Sequence, residues 1–258
     1  GKRILNKGIF NMNLIYILTI DHPSSVHKCS DYSQFCVNTW KYWCDKHGVD
    51  LITETESDSR FGNPKWNKLC ITDVGKDYDK IGIIDSDTMV KWNAPNIFEL
   101  YDEEFCGVSD NSNLRWLNDS LNVYGKFFPN VTIDYYEYIN SGVMFFNKEH
   151  LSFFETILEF YTSNKKELDG WNKGGGCDQT IINYLLVKEG INKRLLSPDW
   201  NLLHINRKEM FRHNWQLNED DTPLFMKYSN VWHFTGFPVT DRINIMKQVW
   251  TKYRGYYE

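Results

Sequence analysis

The chain has 258 residues, a formal net charge of −5, 41% hydrophobic residues and 24% charged residues. These are the proportions of an ordinary globular protein, long enough for a sizeable core. No basic stripe marks a nucleic-acid surface, and no apolar run reaches the ~20 residues of a membrane-spanning helix.

The six cysteines (Cys29, Cys36, Cys44, Cys70, Cys106 and Cys177) contain no C-x-x-C pair. That argues against structural zinc and favours free thiols in a reducing, cytoplasmic setting. Residues 1–13 read as an N-terminal extension or cloning remnant, and 14–258 as one domain.

"NLIYILTI", ending at Ile20, is a β-branched apolar run closed by the turn residues "DHPSS", which predicts a buried parallel strand. A helix is expected over 28–47, with Phe35, Thr39, Tyr42 and Trp43 near helical spacing and Gly48 as its stop. A strand follows at 49–53 and a short helix at 65–78, with Leu69 and Val74 inward. Further strands are expected at 80–85, 103–110 and 137–147. Residues 111–136 show no clear periodicity and read as surface loop, as does the glycine-rich stretch 170–178. Helices are expected at 148–163 (Leu151, Phe154, Leu158 and Tyr161 inward), at 178–189 (Ile181, Ile182, Leu185 and Leu186 inward) and at 241–253. Alternating strands and helices predict an α/β fold with a mixed, mainly parallel central sheet flanked by helices.

The strand "KIGIIDSDTMV" ends in Asp85 and Asp87. Side chains alternate along a strand, so an extended backbone turns both carboxylates to one face. Ligands of open parallel sheets bind at the carboxyl ends of strands. Two carboxylates there repel each other unless a hard divalent cation, Mg²⁺ or Mn²⁺, sits between them, and such a cation commonly carries a diphosphate. By spacing alone, most Asp-x-Asp triplets are solvated turn or cap residues.

"KLCITDVGKDYDKIGIIDSDTMV", "YINSGVMFFN", "GGGCDQTIINYLL" and "VWHFTG" occur in that order. Together they resemble the glycogenin-type (family 8) glycosyltransferases over residues 14 to 240 or so. The resemblance implies a Rossmann-like GT-A fold. It also implies transfer of a hexose, with retention of anomeric configuration, from a UDP-sugar to a carbohydrate or protein hydroxyl, with Mn²⁺ or else Mg²⁺.

The resemblance further implies that Asp85, Asp87 and His233 hold the metal and that Lys68 contacts the diphosphate or sugar. Asn140, Ser141, Asp178 and Gln179 line the sugar side, with Asp178 or Gln179 nearest the anomeric carbon. Thr19 and Asp21 match the uracil position, and Gly236 either lets the backbone approach the phosphates or makes a turn. As ordinary residues, Asp178 reads as a helix N-terminal carboxylate, Lys68 as a solvated helix lysine, and Thr19 and Asp21 as turn residues. Covalent and same-face routes to retention both stay open.

Two features depart from the family. Val239 stands near the position of its late lysine, for which Arg242 or Lys247 is a substitute. No tyrosine follows the first strand, where His22 is the available ring. The alternatives are a weak or inactive nucleotide-sugar-binding protein and a nucleotidyltransferase; the latter lacks its glycine-rich basic loop after the first strand. The terminal "KYRGYYE" offers Tyr253, Tyr256 and Tyr257 as self-glycosylation candidates, against the plainer reading of a helix end.

Overall fold

The run Asn13–Leu18 forms strand β1, and it lies where a run apolar on both faces must lie, inside a sheet. A computed structural model describes residues 12–21, 27–110, 113–170, 177–203, 205 and 222–258. The elements in chain order are β1, α1 (Ser30–His47), β2 (Asp50–Glu54), α2 (Ile71–Val74), β3 (Lys80–Asp85), β4 (Thr88–Val90), β5 (Phe105–Ser109) and α3 (Leu114–Tyr124). They continue with β6 (Ile139–Asn147), α4 (Leu151–Gly170), α5 (Cys177–Lys188), β7 (Lys193–Leu195), α6 (Leu224–Tyr228), β8 (Val231–His233) and α7 (Val239–Tyr253).

Six strands form one sheet in the order β2-β1-β3-β6-β5-β7. β1 pairs in parallel with β2 and β3, and β5 in parallel with β7. β6 is antiparallel to both β3 and β5, so it alone runs against the others. The expected mixed, mainly parallel sheet is what forms. β4 and β8 make a separate antiparallel ladder, Thr88 opposite His233 and Val90 opposite Val231.

Period-two alternation splits the core between the two sheet faces. Ile15, Ile17 and Ile84 pack with Phe35, Trp40 and Trp43 of α1 and with Met246 and Val249 of α7. Leu14, Tyr16, Ile81 and Ile83 pack on the other side with Phe154, Tyr161, Ile181 and Leu185 of α4 and α5. Each buried aliphatic or aromatic side chain contributes about 1.5–3 kcal/mol relative to exposure. The inward residues expected for α5 are all buried, and Gly48 ends α1 at φ 66°, a left-handed cap that suits glycine.

The predicted 65–78 helix is a composite. A 3₁₀ stretch Pro64–Cys70, capped by the Asn63 side chain accepting from the Lys65 amide, leads into α2 and then a second 3₁₀ turn, Gly75–Asp77. The stretch expected to be loop contains α3, whose buried stripe is Leu117, Ser120 and Tyr124. Of the terminal tyrosines, Tyr253 and Tyr257 are buried and the Tyr257 hydroxyl donates to the Val90 carbonyl; Tyr256 is exposed and stacks on Trp92. No helix of the described residues is long and apolar enough to cross a membrane.

Gly82 sits mid-β3, opposite Ile15 and Phe145. A Cβ there would lie 2.7 Å from Ile15 Cδ1 and 2.9 Å from Phe145 Cδ1. Gly82→Ala is therefore expected to destabilise the fold by about 1–3 kcal/mol through overpacking. Urea unfolding reads this, and an unchanged midpoint contradicts it.

Candidate active site

The reversal of β6 builds the site. β3 and β5 end at the sheet edge where β6 begins, so Asp85, Asp110 and the segment Asn140-Ser141-Gly142 meet there. The β4–β8 ladder then brings in the late chain. Thr88 faces His233, which sets the imidazole beside Asp87, and the Phe234 amide donates to the Asp87 carbonyl at 2.8 Å. The resulting cavity of about 840 Å³ is lined by Asp85, Asp87, His233, Lys68, Asp178 and Arg242, among others.

Asp85, Asp87 and His233 offer one ligand atom each, all within 4.8 Å of one another. An octahedral ion with ligands at about 2.1 Å spaces them by no more than about 4.2 Å, so small side-chain shifts complete the set. His233 Nε2 lies 3.1 Å from Asp87 Oδ1, and Arg242 Nη2 lies 3.2 Å from Asp87 Oδ2. Burial works to raise the Asp87 carboxyl, but the His233 ring and the Arg242 guanidinium together hold it well below the usual carboxylate range. Two carboxylates and an imidazole, two of the three nearly buried, are a donor set suited to Mn²⁺.

Gly142 is where the Asn-Ser-Gly motif acquires a physical reason. A Cβ at Gly142 would lie 2.5 Å from His233 Cε1 and 2.7 Å from Asp85 Oδ2. Only glycine lets β6 pass this close behind the ligands.

Lys68 is buried, not solvated. Its Nζ lies 3.0 Å from Asp85 Oδ1 and 3.1 Å from Asp178 Oδ2, and it donates to the Ser141 carbonyl at 3.1 Å. Burial would lower the Lys68 ammonium, but Asp85 and Asp178 outweigh it and raise the group above its ordinary value. In turn burial would raise the Asp178 carboxyl, while Lys68 and then Lys65 bring it below the usual range. Lys68 thus ties the acidic strand end to the first turn of α5.

Gln179, next in that turn, is committed to the protein. Its Oε1 accepts from the Ser141 amide and Asn140 Nδ2, both at 3.0 Å, and its Nε2 donates to Asp110 Oδ2 at 2.9 Å. All four sugar-side residues of the sequence reading therefore gather in one hydrogen-bonded cluster.

At the end of β1 the cavity wall is formed by Leu18 and Ile20. Thr19 donates its hydroxyl to the Glu54 carbonyl at 3.2 Å, and Asp21 Oδ1 accepts from the Cys29 amide at 2.7 Å. Gly236 adopts φ 76°, a turn conformation that suits glycine, and it lines the cavity as well. His22 and most of the glycine-rich stretch, residues 171–176, lie outside the described residues.

Arg242 lines the cavity from the start of α7, its Nε donating to the Phe234 carbonyl at 3.0 Å and its guanidinium 5.3 Å from the Tyr32 ring centroid. Two site residues escaped the sequence reading. Asp110 follows β5, and the rule that strand carboxyl ends carry ligand groups would have flagged it. Asn201, 1% exposed, carries no motif that singles it out.

No protein-family model matches the sequence, and no curated protein matches it. Solved structures do. A glycosyltransferase involved in the glycosylation of the major capsid of PBCV-1 matches over 92% of this chain and 99% of its own, at 14% identity and TM-score 0.56. The apo WbbM bifunctional glycosyltransferase matches over 94% of this chain and 50% of its own, at 16% identity and TM-score 0.53. The glycosyltransferase GlyE of Streptococcus pneumoniae TIGR4 matches over 94% of this chain and 64% of its own, at 15% identity and TM-score 0.50. What is shared at this identity is the fold: the chain has the GT-A architecture found in these glycosyltransferases.

Proposed function

We propose that the chain is a metal-dependent hexosyltransferase that moves a sugar from a UDP-sugar to a hydroxyl acceptor with retention at the anomeric carbon. The observation that carries the proposal is the convergence of Asp85, Asp87 and His233 within 4.8 Å at the sheet edge, next to the buried Lys68–Asp178 pair.

Asp85, Asp87 and His233 hold Mn²⁺ or Mg²⁺. When bound, such a cation supplies positive charge against the diphosphate oxygens as the leaving nucleotide departs. Arg242, 3.2 Å from Asp87 and bonded to the Phe234 carbonyl, stands in for the late lysine whose position Val239 occupies, and it adds charge-assisted donors for a phosphate. Asp178 presents negative charge on the sugar side, where an oxocarbenium-like centre develops, and Lys68 keeps that carboxylate ionised and oriented. Asn140, Ser141 and Gln179 order this wall and meet the sugar hydroxyls. Thr19 and Asp21 adjoin the cavity-lining Leu18 and Ile20, the place the resemblance gives to uracil, and Leu114 and Trp116 also line the cavity as candidates for the acceptor side.

The test is incubation with Mn²⁺ and a panel of UDP-sugars, following UDP release and the thermal midpoint. One UDP-sugar is expected to raise the midpoint and to release UDP. Asp87→Ala is expected to remove both effects, lowering the rate by about 10²–10³ or more, the scale seen when one transition-state-stabilising group is lost. UDP-sugar binding without UDP release on any acceptor points to a binding protein. The absence of both binding and release overturns the proposal.

A further inference from the structure

We infer that Asn201 is a positioning residue that fixes the His233 proton on Nδ1 and so turns the Nε2 lone pair toward the divalent cation. The inference rests on the metal-site reading above and deepens it.

The argument is one of hydrogen-bond polarity, traced from backbone amides that can only donate. The Gly142 N–H donates to Asn140 Oδ1 at 2.9 Å, so that atom is the amide oxygen. The Ser141 N–H donates to Gln179 Oε1 at 3.0 Å, and Asn140 Nδ2 donates to the same oxygen at 3.0 Å, so both amides are oriented consistently. Asn140 Oδ1 also faces Asn201 at 3.0 Å; an oxygen there needs a donor, so the facing atom is Asn201 Nδ2. Asn201 then has its oxygen on the other side, 2.9 Å from His233 Nδ1. An amide oxygen cannot donate, so the proton between them belongs to Nδ1.

This assignment has a consequence at the other ring nitrogen. A neutral imidazole with its proton on Nδ1 carries a lone pair on Nε2, which faces Asp87 Oδ1 at 3.1 Å. With nothing between them that lone pair and the carboxylate repel; a proton or a cation between them makes the contact favourable, and a bound cation would take the proton's place. The opposite tautomer would donate Nε2–H to Asp87 and occupy the direction a metal needs. Asn201 selects the first tautomer. Metal-bound histidines commonly have their other N–H held in this way, and loss of that partner costs about 10–100-fold in metal affinity.

The backbone around Asn201 is set for the task. The Leu202 amide donates to the Val231 carbonyl at 2.9 Å and the His233 amide to the Leu202 carbonyl at 3.3 Å. The segment is thereby laced alongside β8, and the Asn201 side chain reaches His233 from the side away from Asp87.

The experiment compares Asn201→Leu and Asn201→Asp for Mn²⁺ binding, read by electron paramagnetic resonance of free Mn²⁺, with thermal midpoints measured in parallel. Both variants lose the amide donor to Asn140, and aspartate in addition sets an oxygen against Asn140 Oδ1, so a merely structural role predicts the aspartate variant to be at least as weak as the leucine variant. They differ in what faces His233: leucine offers no acceptor, whereas a carboxylate oxygen still accepts from Nδ1. The expected result is Mn²⁺ affinity about 10–100-fold weaker in the leucine variant and within a few-fold of the native chain in the aspartate variant. Equal weakening in both, or native affinity in the leucine variant, overturns the inference and leaves the metal site standing. Absence of Mn²⁺ binding by the native chain overturns the metal reading and this inference together.

Discussion

Replacing Lys68 with methionine is expected to destabilise the protein by about 3–5 kcal/mol at neutral pH, the scale for removing one partner of a buried ion pair. Methionine fills much of the same space, so the loss is one of charge and not of volume. Asp178, 4% exposed, is left buried without its ammonium.

The pH dependence gives this prediction its sign. In the native chain the Asp178 carboxyl is held below its usual range, burial opposing and Lys68 prevailing. A group with a depressed folded pKa contributes stability above its unfolded pKa, about 3.9 for Asp, and that contribution is lost as pH falls through the folded value. In the variant, burial acts without its main opponent and pushes the carboxyl up. The deficit should therefore be large at pH 7 and shrink toward pH 4. Urea unfolding at the two pH values measures it, and an equal deficit at both would show that Lys68 contributes packing alone.

Gly142→Ala is the second change with a large expected effect. The added methyl would meet His233 Cε1 at 2.5 Å, Asp85 Oδ2 at 2.7 Å and Asn140 Oδ1 at 2.9 Å. Real Cβ contacts essentially never come under 3.0 Å, so either β6 or the ligands must move. Gly142 makes no rung itself, but it is pinned between the rung of Ile139 to β5 and those of Val143 and Met144 to β3 and β5, so the backbone there yields little. The side chains move instead, and two of the three candidate metal ligands are among them. Expected outcomes are a stability loss of about 1–3 kcal/mol and Mn²⁺ binding reduced beyond detection in the same titration that follows Asn201. Native Mn²⁺ affinity in this variant would mean that the ion sits elsewhere.

The sequence was informative where burial imposes a repeating pattern. β1, β3 and β6 are long apolar runs because both sheet faces are covered, and α5 shows its inward stripe through four aliphatic residues. α3 shows no clear periodicity because a serine, Ser120, stands in the middle of its buried stripe, flanked by Leu117 and Tyr124. β4, β7 and β8 have three residues each, too few to display alternation.

In the site, Asp85 and Asp87 were legible because strand geometry gives an acidic pair a direction, and the ordered motifs brought His233, Asn140, Ser141, Asp178 and Gln179 to the same place. Lys68 was half legible: its position was marked, but its burial between two carboxylates is tertiary information. Asn201 was not legible. An amide acquires its meaning here only from the polarity of neighbours 61 and 32 positions away.

The three-rung ladder between β4 and β8 has a bearing on how such a chain can change. Asp87 and His233 are 146 positions apart, yet their spacing is set by the pairing of Thr88 with His233. Surface segments between the two strands can lengthen or shorten at little entropic cost, since closure entropy grows slowly with length. One residue inserted within Val231–His233 would instead turn the imidazole to the opposite side of its strand. Tolerance and intolerance to insertion thus lie next to each other, and loops between these strands can be exchanged while the spacing of the candidate ligands Asp87 and His233 stays constant.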